Sequence, residues 1–179
     1  MHKLENPLRV AELNPPETLR RAGLKPGDVF LDVGAGTGLF TFEAARQTGA
    51  AAYAVEISGE MLRTLAEKKQ AAGLENLRIV EGIENAPDGE ADLAMLSTVL
   101  HELREPDGVL QHIRRALKPG GRLAVIEFHD HPTPMGPPPF IRLSEARVRD
   151  ILTGAGFQAE DAFTLGENMY CLTAVSPAN

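Results

Sequence analysis

The chain has 179 residues, 43% of them hydrophobic and 24% charged, with a net charge of −7 and a single cysteine. That length suits one domain with a real core, and the acidic balance argues against an electrostatic grip on nucleic acid or an anionic membrane. Lone Cys171 excludes an internal disulfide and a zinc–cysteine cluster, and no apolar run reaches membrane-spanning length.

Residues 1–24 predict one or two short helices. Pro15-Pro16-Glu17 can open one of them, because the missing N–H of proline is harmless in a first turn. Leu19 and Leu24 would face the body, with Gly23 near the helix end. The N-terminus lacks the apolar core of a signal peptide, so a cytoplasmic location is expected. Lys25-Pro-Gly-Asp28 is a turn feeding a buried strand, Val29–Val33. A glycine turn follows, Gly34 to Gly38, then a helix over Leu39–Gln47 closed by Gly49. Three glycines at alternate positions leave no Cβ above the turn and permit backbone angles that other residues disfavour. The helix aims free N–H groups back at the turn, which suits carboxylate or hydroxyl oxygens of a ligand.

Ala51–Ile57 reads as a second strand, apolar and without alternation, with Glu56 near its end. Ser58 caps a helix that runs to about Ala72, and Gly73 ends it. Leu77–Val80 and Ala91–Ser97 give two more strands. Pro106–Leu117 is helical and is stopped by a Lys118-Pro-Gly-Gly121 turn ahead of a fifth strand, Arg122–Phe128. His129–Leu143 has five prolines, two histidines and no period, the composition of a functional loop. Ser144 caps a helix to about Leu152, ended by Gly154-Ala-Gly-Phe157. Residues 158–164 and 169–175 then form an antiparallel hairpin around Gly166.

Strands alternating with helices predict an α/β fold, a parallel sheet with helices on both faces. Right-handed crossovers put the C-terminal strand ends on one edge, where ligands bind. Gly34–Gly38, Glu56, Gly82, Ser97 and His129 are therefore expected in one cleft. Residues 1–179 read as one domain, with 1–24 as a helical cap.

The glycine spacing departs from the dinucleotide fingerprint: the sixth position from Gly34 is Leu39. Leu31-Asp-Val-Gly-Ala-Gly-Thr-Gly38 instead resembles motif I, D-x-G-x-G-x-G, of the class I S-adenosylmethionine-dependent methyltransferases. Glu56 stands where that family places an acid at the end of its second strand. Leu100-His-Glu-Leu103, Leu117-Lys-Pro-Gly-Gly-Arg-Leu123 and Ala155-Gly-Phe157 extend the likeness over roughly residues 25–175. The pattern is most similar to the ubiquinone/menaquinone-biosynthesis-like branch. The resemblance implies a Rossmann-like, seven-stranded, mostly parallel sheet whose last strand is antiparallel, and S-adenosylmethionine as cofactor. It implies that Asp32 holds the methionyl amino group and that Gly34, Ala35, Gly36 and Gly38 let the cofactor lie close. Glu56 would accept hydrogen bonds from both ribose hydroxyls. Met61 would pack on the adenine, and Ile57 and Ser97, at the ends of the second and fourth strands, would complete the cofactor-binding set. The family usually has an acid after the third strand for the adenine amino group. Here the alignment of Val80-Glu-Gly-Ile-Glu-Asn-Ala-Pro87 puts Gly82 at that position and Ile83 next to it, unless Glu81 or Glu84 compensates.

Methyl transfer from a sulfonium needs alignment and exclusion of water more than covalent help. An oxygen or nitrogen acceptor also needs a base, and His101, just after the fourth strand, is the candidate, with Glu102 a weaker one beside it. His129-Asp-His131 alternates in a way that can converge on an ion. The metal-ligand pattern of catechol methyltransferases is not evident, so a substrate-facing loop and no metal are expected. Ser97-Thr-Val-Leu100 lacks the Asn/Asp-Pro-Pro-aromatic segment of enzymes that methylate nucleic-acid bases. A small-molecule acceptor is expected, without nucleic acid or membrane. The cap is slight, so the site is open or a second subunit covers it in a homodimer. Two rival readings remain: a non-catalytic module of the same fold that binds a nucleoside cofactor, and a nicotinamide-dependent oxidoreductase.

Overall fold

A computed structural model describes residues 5–178. Seven strands form one sheet: β1 (Phe30–Val33), β2 (Ala52–Glu56), β3 (Leu77–Glu81), β4 (Ala91–Ser97), β5 (Leu117–Phe128), β6 (Gln158–Leu165) and β7 (Met169–Val175). Their spatial order is β3-β2-β1-β4-β5-β7-β6. The first five strands pair in parallel, and β7 runs antiparallel to both β5 and β6. The order reverses between β1 and β4, which opens a crevice beyond Val33 and Ser97, the usual place for a ligand in such sheets.

Successive residues of a strand point to opposite faces, and the core divides accordingly. Phe30 belongs with Ala124, Ile126 and Phe128 in one cluster, and Leu31 and Val33 with Leu123 and Val125 in the other. The helices are α1 (Pro7–Leu13), α2 (Pro15–Arg21), α3 (Leu39–Thr48), α4 (Gly59–Ala72), α5 (Pro106–Ala116) and α6 (Glu145–Gly154). Their ends follow local chemistry. Ser58 and Ser144 accept N–H bonds from Met61 and Arg147, and Gly73 ends α4 in the left-handed region at φ 63°. Leu19 and Leu24 are buried, as expected.

One expectation is corrected. Lys118-Pro-Gly-Gly121 is not a turn ahead of β5 but a bulge within it. Leu117 pairs with Ala91 and Arg122 with Leu93, so the four residues 118–121 stand opposite the single residue Asp92. Gly121 makes this possible: a Cβ there would lie 2.9 Å from the Lys118 carbonyl and 3.1 Å from that of Ala91.

The cap is knotted to the sheet. Glu12 of α1 accepts from both the backbone and the side-chain N–H groups of Asn168, in the β6–β7 turn. The Asn168 side-chain oxygen takes the Met135 N–H at 2.8 Å, and its carbonyl takes the His129 N–H at 3.0 Å. Within the proline loop, Arg142 donates to the carbonyls of His129, His131 and Pro137 and to Thr133 Oγ1. A loop without secondary-structure period is thereby folded around one guanidinium, which has five N–H donors in a rigid fork.

Candidate functional site

At the crevice lies a cavity of about 600 Å³, the size of a small-molecule site. Asp32, Gly34, Ala35, Gly36, Glu56, Ile57, Met61 and Ser97 line it, each of them expected from the sequence. Glu102, the weaker of the two base candidates, lines it as well, and so do Arg9, Thr98, Val99 and Leu103, which were not foreseen.

The turn and the acid are joined directly. Gly36 N–H donates to Glu56 Oε2 at 2.8 Å, and the N–H groups of Ile57 and Ser58 donate to Oε1 at 2.8 and 3.0 Å. A carboxylate offers roughly four lone-pair sites, so with three occupied Glu56 has room for about one more donor. The expected grip on two ribose hydroxyls would require sharing or release of one backbone N–H. Lys68 of α4 braces the same turn by donating to the Thr37 carbonyl at 2.7 Å.

Asp32 lies at the floor, 2% exposed, and accepts from Thr41 Oγ1 at 2.6 Å. Burial pushes its pKa up to about 6; the Thr41 bonds oppose that shift and the Glu56 charge adds to it. Asp32 is thus a carboxylate whose charge is poorly solvated, and a ligand ammonium would relieve it. Ser97 Oγ is shielded from water and has no hydrogen-bond partner among the described residues. A buried hydroxyl left so is costly and suits a site completed by a ligand.

The glycines act differently from expectation. All three of Gly34, Gly36 and Gly38 have positive φ, at 76°, 55° and 84°. Yet a Cβ on Gly34 would lie 2.6 Å from Val99, and one on Gly38 would lie 2.6 Å from Phe42 and 2.8 Å from Leu65. Internal packing fills the space above these two, and Gly38 lines a separate cavity with Phe42 and Lys68.

Four further residues fall outside the lining of the cleft. Gly82 is buried and donates its N–H to the Glu56 carbonyl, and a Cβ on it would run into the Glu84 carboxylate. Ile83 packs on the core. His129 stacks on His131 with ring centroids 5.0 Å apart and leans on Tyr170. His101 is next to the wall, but its Nδ1 lies 2.7 Å from Oε2 of Glu127, which is fully buried. Glu127 Oε1 also accepts the His101 backbone N–H at 3.1 Å. The hydrogen bond to Glu127 raises the His101 pKa. Glu127 carries no sequence signal, since it sits in an apolar strand and is brought to His101 only by the β4–β5 pairing.

Thr98 closes the wall with φ 56°, an unusual angle for a β-branched residue. Its hydroxyl accepts from the Arg9 guanidinium at 3.1 Å, so α1 is tied across the mouth of the cleft.

The methyltransferase domain family matches residues 31–125, more than half of the chain and the stretch that holds the turn, Glu56 and Ser97. The chain belongs to that family. A solved S-adenosylmethionine-dependent methyltransferase from Aquifex aeolicus superposes with a TM-score of 0.91 at 31% identity, covering 97% of this chain and 95% of that one. The chain is also 38% identical over 110 residues to a demethylmenaquinone methyltransferase of Tropheryma whipplei, covering 62% of this chain and 45% of that protein. It is 34% identical over 117 residues to the ubiquinone/menaquinone biosynthesis C-methyltransferase UbiE of Pasteurella multocida, covering 62% and 44%. The matches span less than half the length of these two curated relatives. As a methyltransferase-family chain it has the expected sheet, β7 antiparallel included. Among the described residues no helix is long and apolar enough to cross a membrane.

Proposed function

We propose that the protein is an S-adenosylmethionine-dependent methyltransferase that acts on a small-molecule acceptor of quinol type. The observation that carries the reading is the union of Asp32, the Gly34–Gly36 turn and Glu56 around one cleft, with the Gly36 N–H bonded to the Glu56 carboxylate. The cofactor supplies a methyl group on a sulfonium, already activated for transfer. The chain's residues align and enclose. Asp32 would receive the ammonium of the methionyl tail, and its raised pKa marks the electrostatic deficit which that cation fills. Glu56 would accept from a ribose hydroxyl. Ile57, 81% exposed at the cleft edge, and Met61 would flank the adenine. Ser97 Oγ would find its partner on the ligand. The acceptor class follows the two relatives, a demethylmenaquinone methyltransferase and a ubiquinone/menaquinone biosynthesis C-methyltransferase.

His101 does not line the cleft, so the base role expected for it lacks a direct contact. Its place on Glu127 makes it a positioning residue for the Thr98–Val99 wall.

Isothermal titration with S-adenosylhomocysteine, S-adenosylmethionine and NAD tests the cofactor. The two sulfur nucleosides are expected to bind and NAD to fail. Binding of NAD alone would restore the oxidoreductase reading. A methyl-transfer screen over quinols, phenols and amines tests the reaction. Binding without transfer would favour the non-catalytic module.

A further inference from the structure

A second cavity, of about 300 Å³, is lined by Asn6, Arg9, Phe128, Met135 and Gly136. It lies between α1, the end of β5 and the proline loop. Among the described residues, Arg9 alone lines both this cavity and the larger cleft. Phe128 and Met135 give the smaller space apolar walls. The Glu12–Asn168–Met135 bonds fix the helix and the loop on either side of it. Arg9 is anchored to Thr98 Oγ1 at 3.1 Å, so its guanidinium is held where the two spaces meet. A guanidinium keeps its charge and pairs with planar oxyanions in a fixed fork.

We propose that the smaller cavity binds the methyl acceptor, and that Arg9 selects an apolar molecule bearing an anionic oxygen, a phenolate, enolate or carboxylate. The inference rests on the methyltransferase reading only in calling the ligand an acceptor. Phe128 and Met135 take the apolar body, and Arg9 meets the oxyanion on the side facing the cofactor cleft. The charge lies inside a partly dry site, where it discriminates more strongly than in water.

The test uses 2-naphthoate and 2-naphthamide, similar in shape and different in charge. Each is titrated into the full chain, with and without saturating S-adenosylhomocysteine. Naphthoate is expected to bind at least ten-fold tighter than the amide and to remain bound beside the nucleoside. Arg9→Met is expected to erase that preference, and Arg9→Lys to keep part of it. Equal binding of the two probes, binding of neither, displacement of naphthoate by the nucleoside, or a preference that survives Arg9→Met would each overturn the proposal. Should Arg9→Met not fold, Met135→Trp, which fills the cavity from its other wall, must weaken naphthoate at least ten-fold. If S-adenosylhomocysteine does not bind the wild-type chain, the cofactor reading falls, and the titrations without it still judge Arg9.

Discussion

His101 and Glu127 are joined twice through one buried carboxylate, which holds the imidazole Nδ1 at 2.7 Å and the His101 backbone N–H at 3.1 Å. The pair fixes the short turn that follows β4 to the neighbouring strand. A histidine pKa raised by its partner contributes stability that is fully present below the unfolded value, about 6.5, and is lost as pH rises through the folded value. Glu127→Gln is therefore expected to lower the melting temperature, by an amount equivalent to about 1.5–3 kcal/mol for a hydrogen bond to a charged group. The deficit should be larger at pH 6 than at pH 9. Melting curves across that range check it, and an NMR titration should find the His101 pKa lowered in the variant. If Glu127 positions the wall, kcat should fall more than cofactor affinity does.

Asp32 gives a test of opposite sign. Its pKa, raised to about 6, means that the folded chain holds this proton more tightly than the unfolded one. Stability is full below the unfolded value and declines as pH rises to about 6. Asp32→Asn should then stabilise the ligand-free protein at pH 7 by about 1–3 kcal/mol, the order that such a shift implies. The same variant should weaken S-adenosylhomocysteine. In the wild type, nucleoside affinity should drop as pH falls below 6. Calorimetry near pH 6 in buffers of different ionisation enthalpy should show a proton released on binding.

Glu56 serves the fold as well as the site. Glu56→Ala removes an acceptor from three backbone N–H groups. It is expected to weaken cofactor binding by about 1–3 kcal/mol, the cost of losing a charged hydrogen-bond partner, and to lower the melting temperature. Glu56→Gln, which keeps one oxygen, should fall between. Titration and melting of both variants decide the matter, and an unchanged affinity in Glu56→Ala would remove Glu56 from the ribose role.

The glycine turn separates packing from ligand contact. Gly38→Ala would drive a methyl into Phe42 and Leu65 at a positive φ. It is expected to cost about 2–4 kcal/mol from overpacking and backbone strain together. Phe42→Leu in the same chain should recover part of the loss. Urea unfolding of the single and double variants measures this, and additive costs would show that the predicted clash is absent.

Much of this site was legible in the sequence because its parts are local. Asp32, Gly34, Ala35 and Gly36 follow one another on a strand and its turn. Glu56, Ile57 and Met61 follow one another at the next strand end, and parallel pairing brings the two sets together. Arg9, Glu127 and Asn168 were not legible. Each acts through a partner far along the chain, and nothing in a helix of mixed polarity, an apolar strand or a hairpin turn points to that partner. Gly38 was misjudged for a related reason. A glycine pattern records where a Cβ is forbidden but not whether ligand or protein forbids it. The Lys118–Gly121 bulge was missed because prolines and glycines that end a helix can equally be extruded from a strand.

The Asn168 knot bears on how acceptor preference could change. The loop that would meet the acceptor hangs from a side chain on a distant hairpin, and that side chain is gripped by the first helix. Grafting a foreign proline loop onto this chain should fail unless its matching helix and hairpin are transplanted with it. New specificities on this scaffold would then be inherited as a three-part cassette rather than as a single exchanged segment.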